Sequence, residues 1–423
     1  MKNEWSENEK IEKSLKLSIF QSSLDSASDS FGKNNISAFM LAFGATSTQI
    51  AFIEGVSKLA ISFFELASSK LIDSFSRKTL SILFVSLKAF LYLVFAALAG
   101  LSWLGYGSLP VLMVCIVVFF ICIGLSYPAY FSLIGSLVPD TVRGRFFSRK
   151  KFWFLTIGTI TTVIAATFLD FFKMESSVMI GFLLLFFFAF IARGTSGALY
   201  AKIYEPKYRK QDEMPLVEKI KMLRKNGNIN FIVFQGLAAF ASAFAGPYIV
   251  VYLLEDLQLS YFFYLTILYA PTFFQIVILR YVGVFFDRIQ NAVLLKISYF
   301  TMSLVALGFF VSYFVPSHAL QIAFLIFING IAGGSASVLN DISARNYLLE
   351  TSQDNQRAYL ISYEHIFSSI LFFAGIGISI FILHSEYGFA NQLVPLFFIS
   401  FILTFSFAVL SVRGIRKPAY RSR

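Results

Sequence analysis

The run VLMVCIVVFFICIGL at 111–125 contains no charged residue and no proline. LSILFVSLKAFLYLVFAALAGL at 80–101 contains one charge, Lys88. With a rise of about 1.5 Å per residue, such runs and their flanks are long enough to cross ~30 Å of hydrocarbon. They recur along all 423 residues and are continuously apolar, whereas the strands of a membrane barrel alternate. Charged residues make up only 14% of the chain, against about 25% in a soluble domain, so too little polar surface exists to cover a water-soluble globule. The fold class is therefore an all-α polytopic membrane protein. Its 52 Phe and 20 Tyr suit lipid-facing and interfacial positions.

The apolar runs and turn signals predict twelve transmembrane helices, near 18–43, 47–74, 79–103, 108–137, 149–171, 176–202, 229–254, 260–286, 291–314, 318–348, 357–383 and 390–413. The opening MKNEWSENEK has no basic lead into an apolar core, so no cleavable signal peptide is expected. Cys115 and Cys122, seven residues apart on one helix, are expected to stay unbridged. One set of loops holds Arg77 and Lys78, then Arg143, Arg145, Arg149, Lys150 and Lys151, and later the basic link at 203–228. The opposite loops hold Lys173 as their only Lys or Arg. That asymmetry predicts both termini and the link on the cytoplasmic side, in the plasma membrane. The net charge of +11 then reflects positive-inside retention and anionic headgroups, with no nucleic acid required.

Short patterns repeat at one offset. KLIDSFSRK (70–78) and GVFFDRIQN (283–291) place Asp73 and Asp287 214 residues apart. PDTVRGR and SQDNQRAY place Arg143 and Arg357 the same distance apart. The same shift lays Phe20-Gln21 on Phe234-Gln235 and Ala27-Ser28 on Ala241-Ser242. Two pseudo-symmetric six-helix bundles are expected, at 18–202 and 229–413, joined by 203–228 and flanked by 1–17 and 414–423.

Twelve spans split six and six, with a basic link, resemble the major facilitator superfamily of secondary transporters. Its signature between helices two and three has Gly, Asp, a base, Gly and two further bases. The first half keeps Asp73, Arg77 and Lys78 with Ser69 and Ser76 at the glycine positions, and the second keeps Gly283, Asp287 and Arg288. PDTVRGRFFSRKKFW resembles the Arg-Gly segment after helix four. The resemblance implies alternating access, a cavity lined by helices one, four, seven and ten, and a cytoplasmic gate at Asp73, Arg77, Lys78, Arg143, Gly283, Asp287, Arg288 and Arg357. Helix five carries only Gly158, unlike the Gly-rich, Gly-Pro helix five of the superfamily's drug–proton antiporters.

Charges fall inside the first two predicted spans. Ser22, Asp25, Asp29 and Lys33 lie within a ~100° arc of a helix, and Glu54, Lys58, Glu65 and Ser69 within ~60°. Intramembrane charges face a bundle interior or a water-filled cavity and are functional candidates. Three acids against one base, among Asp25, Asp29, Lys33 and Glu65, leave a carboxylate able to titrate. Asp25, Asp29, Glu65 and Glu54 are thus the proton-binding candidates. Gln21, Lys33, Lys58 and Gln235, with Tyr127, Tyr130 and Asn329, are the substrate-cavity candidates. The structural alternative is a set of ion pairs such as Asp29–Lys33 and Glu54–Lys58 that bind the two helices together. Lys88 and Arg193 are expected to snorkel in part, and Asp341 and Arg345 to pair. Glu364 and His365, as chain neighbours on a helix, point apart. Pro128 and Gly246-Pro247 are expected to break helices four and seven.

No Walker loop, metal-ligand spacing or nucleophile elbow occurs, so neither an enzyme nor a cofactor is expected. The sequence predicts a monomeric, proton-coupled secondary transporter of a small organic solute in a lipid bilayer. A uniporter of the same fold is the nearest alternative. A non-transporting protein with this fold, such as a lipid scramblase or a structural partner, is the other.

Overall fold

The computed structural model describes residues 7–72, 74–139, 142–206, 228–286, 289–351, 354–384 and 393–415, and among these every regular element is helical. In the first half the helices are α1 (Glu7–Phe31), α2 (Ile36–Ala42), α3 (Ser47–Leu71), α4 (Arg77–Trp103), α5 (Leu109–Leu137), α6 (Arg143–Met174) and α7 (Val178–Tyr200). In the second they are α8 (Asn228–Ser242), α9 (Tyr261–Phe286), α10 (Asn291–Ser312), α11 (His318–Ile328), α12 (Gly334–Thr351), α13 (Asp354–His384) and α14 (Val394–Gly414). Among the described residues, 10 helical segments are long and apolar enough to cross a membrane. The regions of α1 and α3 are not among them, and these are the helices that carry the charged stripes.

The first predicted span begins earlier than expected, since 7–17 belong to α1. It is also interrupted: a 3-10 turn at Lys33–Asn35 separates α1 from α2. At the end of α2, the Ala45 N–H bonds Met40 O (2.9 Å) and the Gly44 N–H bonds Leu41 O (2.9 Å), with Gly44 at φ +94°. This paired closure needs a left-handed residue, which glycine adopts without a Cβ penalty.

The two proline expectations separate. Gly246-Pro247 does interrupt helix seven: α8 stops at Ser242, a 3-10 turn covers Gly246–Tyr248, and a π-helical turn covers Tyr252–Asp256. Pro128 lies inside an unbroken α5, contrary to expectation. Helix ten has its own irregularity, a π-helical turn at Asn329–Gly333 between α11 and α12. Asn329 secures it by donating its amide to Ile267 O of α9 (2.7 Å).

The chain divides into two compact units. One comprises Met1–Thr46, Val56–Gln211 and Ser260–Phe262, and the other Ser47–Gly55, Asp212–Leu259 and Phe263–Arg423. The helix boundaries keep the 214-residue offset. Ser47 and Tyr261 open α3 and α9, and Arg77 and Asn291 open α4 and α10. Leu137 and Thr351 close α5 and α12, and Tyr200 and Gly414 close α7 and α14. Packing within each unit follows the same plan. In the first, α4 packs on α5 and α7, and α1 on α6 and α7. In the second, α10 packs on α12 and α14, and α8 on α13 and α14.

The serines of α1 explain how so polar a helix sits in a bundle. Ser26 donates to Phe154 O (2.6 Å) and Ser30 to Gly158 O (2.9 Å), both on α6. Ser28 donates to Ala189 O of α7 (2.9 Å). Small hydroxyl side chains let backbones approach closely and satisfy themselves on the neighbouring carbonyls.

Candidate functional site

The aspartates of α1 converge on one guanidinium. Arg193, on α7, is 5% exposed and directs Nη1 to Asp25 Oδ1 (2.5 Å) and Nη2 to Asp29 Oδ1. Asp25 also accepts from Ser196 Oγ (2.6 Å) and from Gln21 Nε2 (2.5 Å). Asp29 accepts from Lys33 Nζ (2.8 Å). Spacing along α1 makes this possible, because Gln21, Asp25 and Asp29 succeed one another every fourth residue on one face, and Lys33 follows in the 3-10 turn.

The network continues away from the carboxylates. Gln21 Oε1 accepts from Tyr130 Oη of α5 (2.9 Å), and Lys150 Nζ of α6 donates to the same hydroxyl while lying 4.3 Å from the ring centroid. A connected path thus runs Lys150–Tyr130–Gln21–Asp25–Arg193–Asp29–Lys33. Lys88 of α4 is buried close by and donates to Ser126 Oγ (3.0 Å).

Two expectations fail here for one reason. Arg193 and Lys88 do not snorkel: both are buried, because groups inside the bundle hold them more favourably than a partial reach toward the interface. With them present, the local balance is no longer three acids against one base. Two carboxylates face Arg193 and Lys33, with Lys88 and Lys150 nearby. Sequence reasoning missed the pairing because its partners are 168 and 164 positions apart. The available signal was a lone arginine within the apolar run of α7.

The remaining candidates are distributed. Glu54 and Glu65 are half-buried and Lys58 exposed on α3. Tyr127 is exposed, its ring stacked with Phe131 at 6.1 Å. In the second unit Gln235 accepts from Tyr299 Oη (3.1 Å) and donates to Asn340 Oδ1 (3.2 Å). Asn329 is committed to its backbone bond. Asp341 and Arg345 are both exposed on α12, one turn apart. Glu364 accepts from Ser368 (2.9 Å), and its other oxygen lies 3.6 Å from His365 Nε2, closer than neighbours on a helix were expected to come.

Of the residues expected at the gate, Arg77 is held within its own unit. It donates to Pro206 O (2.9 Å), Ser132 O (3.2 Å) and Ser136 Oγ (3.2 Å), and its Nε lies 3.5 Å from Glu205 Oε1. Ser76 caps α4, accepting from the Thr79 N–H (3.2 Å), and donates to Glu205 Oε2 (2.6 Å). The Lys78 N–H reaches Glu205 Oε1 (3.4 Å). Glu205, just past α7, is the partner that sequence reasoning overlooked. Arg143, Gly283 and Arg357 are described in backbone only, on α6, α9 and α13, and Asp73, Asp287 and Arg288 lie outside the described residues.

The second unit holds a half-open cavity of about 480 Å3 among Ser242 to Ile249, α9, α10, α12 and α14. Among the described residues no group of His, Cys, Asp and Glu is placed to hold a metal ion.

Among the described residues, an all-helical chain with 10 segments long and apolar enough to cross a membrane has the build of a polytopic membrane protein. The chain belongs to the Major Facilitator Superfamily, whose family model matches residues 23–363. No curated protein matches the sequence. Solved structures share the fold. A mutant of the nucleoside transporter NupG is similar with a TM-score of 0.73 at 11% identity, over 95% of this chain and 100% of that one. A bacterial homologue of the iron transporter ferroportin, inward-facing, gives 0.71 at 14% identity, over 95% and 98%. An auto-inhibited peptide transporter of the POT family gives 0.70 at 11%, over 97% and 99%.

Proposed function

We propose that this transporter moves a small organic solute by alternating access of two homologous six-helix halves, and that proton binding at Asp25 and Asp29 drives the cycle. The observation that supports this reading is the sharing of Arg193 by two partly accessible carboxylates, 16% and 19% exposed, inside the first unit. A proton on either carboxylate removes one partner of a guanidinium that itself stays charged. The balance of pairs then changes, and a change that differs between two conformations shifts their populations. Glu65 and Glu54 on α3 are further proton-binding candidates. Gln21, Lys33, Lys58, Tyr130 and Gln235 are candidates for solute contact. Arg77, Lys78 and Arg143 would form the cytoplasmic gate with Asp73, Gly283, Asp287, Arg288 and Arg357. Loop charge supports cytoplasmic termini; a plasma-membrane monomer completes the proposal.

A second reading has an observation of its own. Both carboxylates are already paired, which suits a network that holds α1 to α7 in a facilitative uniporter. Proteoliposomes carrying a lumenal pH dye separate the two. On proton coupling, solute addition changes lumenal pH in the wild type and not in Asp29→Asn. If Asp25→Asn, Asp29→Asn and Glu65→Gln together leave that response intact, coupling through these groups is wrong.

A further inference from the structure

The 214-residue offset allows the interiors of the two units to be compared position by position, and they are filled differently. In the first unit Tyr92 is fully buried beneath the α1–α2 break, where its hydroxyl accepts from the Lys33 N–H (3.2 Å). Its ring lies 4.9 Å from Phe119 and 6.3 Å from Phe186, and Phe186 lies 5.4 Å from Phe95. The fit is tight enough that a Cβ on Gly32 would stand 2.2 Å from the Tyr92 ring. Moving 214 residues on, Tyr92 becomes Ala306, Phe119 becomes Gly333 and Phe186 becomes Ser400, while Phe95 remains aromatic as Phe309. Lys88 becomes Met302, so the charge is lost as well. Gly32 corresponds to Gly246, and a Cβ there would meet nothing within 4 Å.

Three missing rings are therefore the origin of the 480 Å3 cavity, which Ala306, Gly333, Ser400, Met302 and Gly246 all line. Packed interiors leave few voids larger than a water molecule, whereas small-molecule sites measure roughly 300–1,000 Å3. This hollow belongs with the second group.

Its wall specifies an occupant. Ser242, Ser298, Ser400 and Thr404 each commit their proton to a backbone carbonyl at 2.6–2.8 Å, and Tyr299 donates to Gln235. Their oxygens are left as acceptors. Asp341 adds a carboxylate, and no Lys, Arg or His lines the space among the described residues. Gln275, 9% exposed, adds an amide whose groups can both donate and accept. Met302, Val305, Ala306 and Phe309 supply an apolar side.

We infer that the interior of the second unit is a binding site for a hydroxyl- and amine-bearing solute, uncharged or singly cationic and about the size of a hexose. Acceptor oxygens and a carboxylate, with no basic side chain, reject its anionic counterpart. The site is built by substitution of the aromatic plug that closes the equivalent space in the first unit. That the bound solute is also the cargo rests on the transporter reading above; binding itself does not.

Three probes on one carbon skeleton test the inference by isothermal titration of the full chain in detergent: glucosamine, sorbitol and gluconate. Saturable binding of glucosamine or sorbitol is expected, with gluconate at least tenfold weaker. Ala306→Tyr, which restores the ring found at Tyr92, should abolish binding. Gly246→Val, which adds bulk where the cavity is open, should weaken it at least tenfold should Ala306→Tyr fail to fold. Tyr106→Phe, at an exposed position of the first unit outside both sites, should leave binding unchanged. Wild-type protein that binds neither glucosamine nor sorbitol, preference for gluconate, or undiminished binding in the filled variants would each overturn the site. Binding without movement of the probe into proteoliposomes would instead count against its being cargo.

Discussion

Arg193 shows how one side chain reverses the meaning of its neighbours. Read along the chain, Asp25 and Asp29 are acids in excess; read in the fold, they are the two partners of one fork. A buried charge is tolerated when paired, and removal of one partner costs about 3–5 kcal/mol because the other is left uncompensated. Arg193→Leu should therefore lower unfolding stability in detergent by about that amount, and adding Asp25→Asn with Asp29→Asn should restore most of the loss. Arg193→Lys should not restore it fully, since one ammonium cannot present two nitrogens to two carboxylates. A neutral Arg193→Leu, measured by denaturant melting of the purified protein, would remove the network from the stability of the first unit.

At the scale of elements, α1 separates what was legible from what was not. The stripe of Ser22, Asp25, Asp29 and Lys33 was readable, as was its place inside the bundle, whereas the part played by Gln21 was not. The serines between them were readable only as polar residues, because their acceptors are carbonyls of α6 and α7 far along the chain. Gly158 completes that contact: a Cβ there would stand 2.4 Å from Ser26 Oγ. Gly158→Val should force Ser26 off Phe154 O and cost about 1–3 kcal/mol by overpacking. Ser26→Gly should relieve much of that cost in the double variant, and equal melting of Gly158→Val with and without it would rule out this contact as the cause. The breaks teach the same lesson. Gly246-Pro247 interrupts its helix whereas Pro128 does not, and nothing in the local sequence separates them so clearly as the cavity that lies beside only the first.

At the scale of the whole molecule, apolar runs gave the helix order and most boundaries to within a few residues, because spanning length is a local property. The repeat was also readable, since a single offset joined motifs before any helix end was known. Filling of the two interiors was not, because Tyr92 and Ala306 differ by one residue type whose consequence appears only when both bundles are assembled. Sidedness rests on loop charge and is open to direct measurement. Ser176, on the loop with few basic residues, and Ser74, beside Arg77 and Lys78, are both exposed. Cys115 and Cys122 are free and can be replaced by Ala to give a cysteine-less chain. In that background, an impermeant maleimide should label Ser176→Cys in intact cells and Ser74→Cys only after permeabilisation. Positive charge near helix ends opposes translocation, so the basic side should stay inside. The reverse labelling pattern would invert the topology and place the Arg77–Glu205 cluster at the outer face, where it could not act as a cytoplasmic gate.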